Sequence, residues 1–246
     1  MIKVNKLPKP TELTPDVVLK LTTEYKTTKK SVWKKAYIEE ALLSSSHSKC
    51  AYCECKLNVE SKYMEVEHYQ DKHTHPDLVV DWDNLLPSCK RCNGRKHKHN
   101  TEINPIIDPS KMNPQEHLKM KYYRLIGKTD IGKETISVLL LNDTRKVVQK
   151  RFEISQLVHE KIEELLEKCQ DYHTGSKSTR LRNRIVQTTK NILEEASPQA
   201  EYAATVASDI LNDPHFHKII DILKSEYLWD SELDELFIAT QDIALL

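Results

Sequence analysis

The stretch that decides the fold lies between Cys50 and His99: CAYCECKL at 50–57, EVEHYQDKHTHPDL at 65–78 and DWDNLLPSCKRCNGRKHKH at 81–99. Two C-x2-C pairs, Cys50/Cys53 and Cys89/Cys92, bracket residues 54–88. Each pair can form a knuckle that aims two thiolates at one ion, and two knuckles supply the four sulfurs of a closed tetrahedral zinc site. Such an ion would hold both ends of the bracketed segment in register. The segment carries Glu67, His68 and Asn84, and Asn93 follows the last cysteine directly. A carboxylate–histidine pair with two amides is catalytic material rather than filler.

Composition bounds the rest. The chain of 246 residues is 30% charged with only four glycines, the profile of a soluble, helix-rich protein with room for one large domain or two modest ones. No apolar run approaches about 18 residues, so neither a transmembrane helix nor a membrane partner is expected. The first ten residues, MIKVNKLPKP, lack an apolar signal core, and export is not expected. Six cysteines, four of them in C-x2-C pairs, suit metal-bound thiolates in a reducing cytoplasm, with Cys55 and Cys169 left as spare thiols.

Net charge is zero but unevenly spread. Residues 1–104 hold 18 basic and 14 acidic side chains, a surplus of four positive charges that residues 105–246 cancel. Lys90, Arg91, Arg95, Lys96 and Lys98 crowd the second knuckle, which is what contact with a phosphate backbone needs. The last 22 residues carry six acids and no Lys or Arg, a hint of a basic partner surface.

Along the chain, Thr14 and Pro15 read as a helix start, and Ser31 as the cap of a second helix carrying Trp33, Ala36, Tyr37, Ala41 and Leu42. Lys62–His68 alternates as a strand with His68 at its end, 73–77 reads as a loop, and a helix should hold Asn93. Composition changes after Asn104-Pro105. Three parts are therefore expected: an N-terminal helical segment over 1–49, a zinc module over 50–104 and a helical domain over 105–246. In the last part, a helix from Asn113 closed by Gly127 is followed by Glu134–Leu141 and a long helix from Thr144 to about His173. That long helix has an apolar stripe of Val147, Val148, Phe152, Leu157, Val158, Ile162, Leu165 and Leu166. A loop over 175–178 and helices over 179–196, 198–211, 214–225 and 231–241 complete the chain. The arginines of RLRNR at 180–184 are read as a solvated helix face.

At the residues quoted above the sequence resembles the HNH endonucleases, the ββα-metal nucleases, in zinc-stapled form. The acidic–His pair is Glu67-His68, the loop asparagine is Asn84 in DNLLPSC, and the helix residue is Asn93 in CKRCNGRK. The resemblance covers about 50 of the 246 residues. It implies a mainly α protein with a small ββα-metal module, N-terminal helices and a C-terminal helical domain. It also implies metal-dependent hydrolysis of phosphodiesters, DNA favoured, leaving a 5′-phosphate and a 3′-hydroxyl. His68 would take the proton of the attacking water, a role that contributes ~10²–10⁴-fold to the rate. Asn84 would hold the other ring nitrogen of His68, or its backbone. Glu67 and Asn93 would bind one Mg²⁺ or Mn²⁺ ion, with His97 as a possible third ligand and Glu65, on the strand face of Glu67, as a second acid.

A wider likeness reaches beyond the module. INP at 103–105, TISVLLLN at 135–142 and Arg151 look like the HNH component of Septu-type anti-phage systems, some of them retron-associated. That implies docking of the helical domain onto an ATPase, with a retron reverse transcriptase and its DNA as further candidate partners. Two rivals stand beside this reading. One is an RNA-cleaving effector with the same site, acting for instance on tRNA. The other is a non-catalytic zinc module that binds nucleic acid or protein and has no use for Glu67, His68 and Asn93 together.

Overall fold

Helix α1 (Pro15–Thr28) begins where Thr14 Oγ1 accepts the Val17 N–H at 3.3 Å, with Pro15 in a first turn that leaves its missing donor without consequence. The computed structural model describes residues 1–59, 63–175 and 177–246. Helix α2 (Ala36–Ser45) begins later than a Ser31 cap implies, because residues 31–35 turn instead. The turn serves packing: Trp33 within it is buried and meets the Tyr25 ring edge-on at 5.8 Å.

Strand β1 (Met64–His68) is shorter than expected from the alternation; Lys62, the expected start, falls outside the described residues. It pairs antiparallel with β2 (Leu85–Cys89), with Glu67 opposite Leu86 and His68 opposite Leu85. Helix α3 (Lys90–Lys96) follows β2 without a break, capped by the Cys89 thiol, which accepts the Cys92 N–H at 3.4 Å. These three elements are the ββα module. A module of about 50 residues cannot bury a sufficient core of its own. Here Val66 and Leu85 share a core with Leu21, Tyr25, Trp33, Ile38 and Leu42, so the N-terminal helices complete it. The irregular first residues are tied on as well: Trp82 Nε1 donates to Leu7 O at 3.0 Å, and Lys6 Nζ donates to Leu85 O at 2.9 Å.

Beyond residue 105 the order of elements departs from expectation. Asn113 does cap a helix, α4 (Pro114–His117), but it lasts one turn. The chain then forms β3 (Leu118–Lys121) and β4 (Arg124–Gly127), a paired two-stranded sheet. Tyr122 and Tyr123 between them are both left-handed, at φ 50° and 62°. Two such residues in succession make a type I′ turn, whose twist matches a hairpin. Helix α5 (Asp130–Val138) starts at the Thr129 cap, earlier than the expected 134. Gly132 in its first turn lies so close to the preceding chain that a Cβ would stand 2.1 Å from His117 O.

The chain divides into two compact units, residues 1–118 with 125–142 and residues 119–124 with 143–246. The boundary therefore falls at Asn142 rather than near residue 105. Residues 105–142 are bound to the earlier part of the first unit by hydrogen bonds that leave no periodic mark in the sequence. Val4 N–H donates to Pro109 O at 2.8 Å and Tyr69 Oη donates to Ile106 O at 2.7 Å; within the segment, Thr135 Oγ1 accepts the Ile107 N–H at 2.8 Å.

In the second unit a π turn (Thr144–Val148) leads into α6 (Gln149–Thr174). It is followed by α7 (Thr179–Glu194), α8 (Ala203–Asn212), α9 (Pro214–Ser225) and α10 (Ser231–Gln241). Val158, Ile162, Leu165 and Cys169 of α6 pack with Ile185, Ile192, Ile210, Phe216, Ile219 and Leu223. Two members of the expected stripe, Phe152 and Leu157, are exposed instead. Arg180, Arg182 and Arg184 lie exposed on α7, and Ser176 of the expected loop falls outside the described residues. The protein is mainly helical, as its sequence implies.

Candidate active site

The Sγ atoms of Cys50, Cys53, Cys89 and Cys92 all lie within 4.8 Å of one another, and all four residues are buried. The first knuckle is a tight turn: Glu54 sits at φ 66° and donates its N–H to Cys50 O at 2.9 Å. Ala51 N–H donates to Pro87 O at 2.9 Å, which fastens that knuckle to β2. The second knuckle is the first turn of α3. No disulfide joins any of the six cysteines; Cys169 stands apart from the cluster, and Cys55 lies beside its thiols without being one of the four. Four converging buried thiols fit a closed zinc site and its donor set.

Against this staple, β1 and α3 face each other across a groove of about 300 Å³ lined by Glu65, Asp71, Lys72, His73, Lys90, Asn93, Gly94, His97 and Lys98. Asn93 Nδ2 donates to Glu65 Oε2 at 2.6 Å. His97 lies just past the end of α3, its N–H donating to Asn93 O at 2.8 Å, and its ring shares the groove.

Glu67, expected to reach a metal from this face, is only 2% exposed and has Lys96 Nζ 2.7 Å from its Oε1. Burial pushes its carboxyl up to about 7, against the pull of the Lys96 charge. Lys96, expected to meet phosphate, is 1% exposed and donates a second bond to His68 O at 2.7 Å. The surface placement expected for Lys96 is thus corrected: its ammonium ties α3 to the end of β1.

His68, the last residue of β1, is buried beside Val79 and Trp33. Its Nε2 donates to Val79 O at 2.9 Å, and the Trp33 ring meets it edge-on at 4.7 Å. Burial, with the Lys72 charge next, pulls the imidazole down to about 3, so it is neutral throughout the physiological range. With Nε2 committed as donor, Nδ1 keeps the lone pair. Asn84 does not touch the ring, contrary to one of its two expected roles. Its Oδ1 accepts the Gln70 N–H at 2.7 Å, and its Nδ2 donates to Gln70 O at 3.1 Å and Leu78 O at 3.2 Å. It therefore fixes the backbone on both sides of the loop that presents the Val79 carbonyl.

Of the five basic side chains expected at the site, Lys90 and Lys98 line the groove. Arg95 is exposed outside it, and Arg91 donates to Leu140 O. The groove also gains His73, which sequence reading left as a loop residue, and Lys72, which it did not single out. No periodicity marks them; Asp71, whose Oδ2 accepts the His73 N–H at 3.1 Å, sets their turn. Trp33, the partner of the His68 ring, was read only as a residue of the second helix.

The HNH endonuclease family matches residues 50–99, the stretch from the first zinc knuckle to the end of the α3 region. The full chain is 46% identical over 218 residues to Septu protein PtuB of Bacillus thuringiensis, covering 88% of this chain and 85% of that protein. It is 28% identical over 229 residues to Septu protein PtuB of Bacillus mycoides strain KBAB4, covering 74% of this chain and 77% of that one. The likeness runs through the helical unit as well as the zinc-stapled one, and the chain belongs to the Septu PtuB family as an HNH endonuclease.

Proposed function

We propose that this endonuclease cleaves DNA, leaving a 5′-phosphate and a 3′-hydroxyl, as the effector of an anti-phage pair whose other member is an ATPase. The observation that carries the chemistry is the groove between β1 and α3. It puts a carboxylate, an amide and an imidazole beside lysines, while a tautomer-fixed histidine ends the same strand.

Each residue then has a task. His68 accepts the proton of the attacking water at Nδ1, because Nε2 is spent on Val79 O. Asn84 keeps the Val79 loop in place, so that the ring cannot turn. Lys72, Lys90 and Lys98 draw the phosphodiester into the groove. Hard oxygen donors suit Mg²⁺ or Mn²⁺, and such an ion, when bound, supplies charge for the phosphate and the leaving oxygen. The cysteine cluster takes zinc and holds the two ends of the module together.

The names of the relatives support the defence reading. A partner is consistent with a groove that offers only a few lysines and a chain without net charge, which favours weak binding of a polyanion by the chain alone. The second unit, which contributes nothing to the zinc or HNH residues, is the part assigned to docking. A cytoplasmic location belongs to the same proposal; among the described residues no helix is long and apolar enough to cross a membrane. The relatives' names give retron components no support.

Plasmid DNA and total RNA, offered in Mg²⁺ to the chain alone and to the chain with its co-purified ATPase, test the proposal. Cutting of DNA is expected. Cutting of RNA alone would move the substrate to RNA with the same residues in the same roles, since the groove's lysines, carboxylate and amide suit a phosphate and a metal ion rather than a sugar.

A further inference from the structure

The two acidic residues of β1 meet different partners on α3, and the difference decides which can hold a divalent ion. Glu65 and Glu67 share one face of the strand, about 7 Å apart along it. Across from them stand Asn93 and Lys96, nearly one helical turn apart. The first rung, Glu65 Oε2 with Asn93 Nδ2 at 2.6 Å, joins a carboxyl group to a neutral amide, which brings no charge of its own. The second rung, Glu67 with Lys96, is already neutralised and sealed: the two side chains are 2% and 0% exposed. Removing Glu67 to a metal would leave a buried ammonium with only the His68 carbonyl.

We propose that Glu65, not Glu67, is the carboxylate ligand of the divalent ion, with Asn93 Oδ1 and the His97 ring, and that Lys96 is a positioning residue. This rests on the nuclease reading above and deepens it. Glu65 Oε1, Asn93 Oδ1 and the His97 ring nitrogens make no hydrogen bond among the described residues, and all three side chains line the groove. The Lys96 ammonium acts as a built-in cation on the neighbouring rung. It holds the Glu67 carboxylate and the His68 carbonyl together, and so sets the end of β1 from which the His68 ring projects.

The test is Mn²⁺ binding to the zinc-loaded full chain, followed by calorimetry and by the electron paramagnetic resonance of free Mn²⁺. Glu65→Gln is expected to weaken binding by roughly tenfold or more, a loss that even outer-shell substitutions reach at metal sites. Glu67→Gln alone leaves Lys96 unpaired and risks misfolding. It is therefore paired with Lys96→Met, which removes both charges at similar volume, and zinc content and circular dichroism check the fold. The double variant is expected to bind Mn²⁺ within about threefold of the parent while cleavage falls through a lower kcat at unchanged KM, a split that follows misplacement of His68 rather than loss of substrate binding. Unchanged Mn²⁺ affinity in Glu65→Gln, or its loss in a folded double variant, would overturn the assignment. Binding is read without turnover, so a chain that holds Mn²⁺ through Glu65 but cuts neither nucleic acid would refute the nuclease reading and leave the ligand assignment standing.

Discussion

At the scale of single residues, the site depends on groups that hold other groups. Asn84 uses its amide three times on backbone and never on the His68 ring. Asn84→Asp should destabilise the first unit by about 1–3 kcal/mol, because two carbonyls lose their donor and face a buried carboxylate. Chemical denaturation with zinc retained measures this. The loss of cleavage should exceed what the unfolded fraction explains, since the Val79 carbonyl is displaced with the loop. The motif residues were legible in the sequence because their chemistry is unusual in so short a span. The Glu67–Lys96 pair was not. Strand alternation places two acids on one face, but only the offset between strand and helix decides which of them meets a lysine. Trp33 was equally hidden as a partner of His68, being 35 positions earlier in the chain.

At the scale of elements, sequence reading worked where a side chain caps a helix. Thr14 does so at α1, Ser178 at α7 and Asp213 at α9. It failed at the β3–β4 hairpin, where Tyr122 and Tyr123 adopt left-handed conformations usually advertised by Asn or Gly. The element on which the nuclease unit depends most is the second knuckle, since Cys89 both caps α3 and joins the zinc cluster. Cys89→Ser keeps a capping oxygen but removes a soft ligand. Structural zinc contributes on the order of 10 kcal/mol to small modules. The variant should therefore lose zinc and protection of the backbone amides over 50–99 in hydrogen exchange, while the amides of α6 to α9 stay protected. A purified variant with full zinc content would argue against the four-cysteine site.

At the scale of the whole molecule, the chain is two units with separate cores, and the boundary at Asn142 was illegible because hydrogen bonds between residues distant in sequence, rather than composition, hold 105–142 to the first unit. Separate cores allow separate responses to pH. In the second unit His159 Nδ1 lies 2.9 Å from Asp213 Oδ2, and that hydrogen bond raises the imidazole above its ordinary value. A raised folded value means that the stabilisation is fully present below the unfolded value of about 6.5 and fades as pH rises through the folded one. Thermal unfolding of the second unit should thus begin at lower temperature at pH 8.5 than at pH 6. In His159→Gln that difference should shrink, and an unchanged difference would show that other groups set it.

The central claim is that an HNH site on this chain breaks phosphodiester bonds with His68 as the base. It is tested most directly by cleavage of supercoiled plasmid by the zinc-loaded protein with its partner, in Mg²⁺ or EDTA, beside His68→Ala. The account predicts nicking or linearisation in Mg²⁺, none in EDTA, and a rate in the folded variant lower by roughly 10²–10⁴-fold. Cutting by His68→Ala at the parental rate would contradict it.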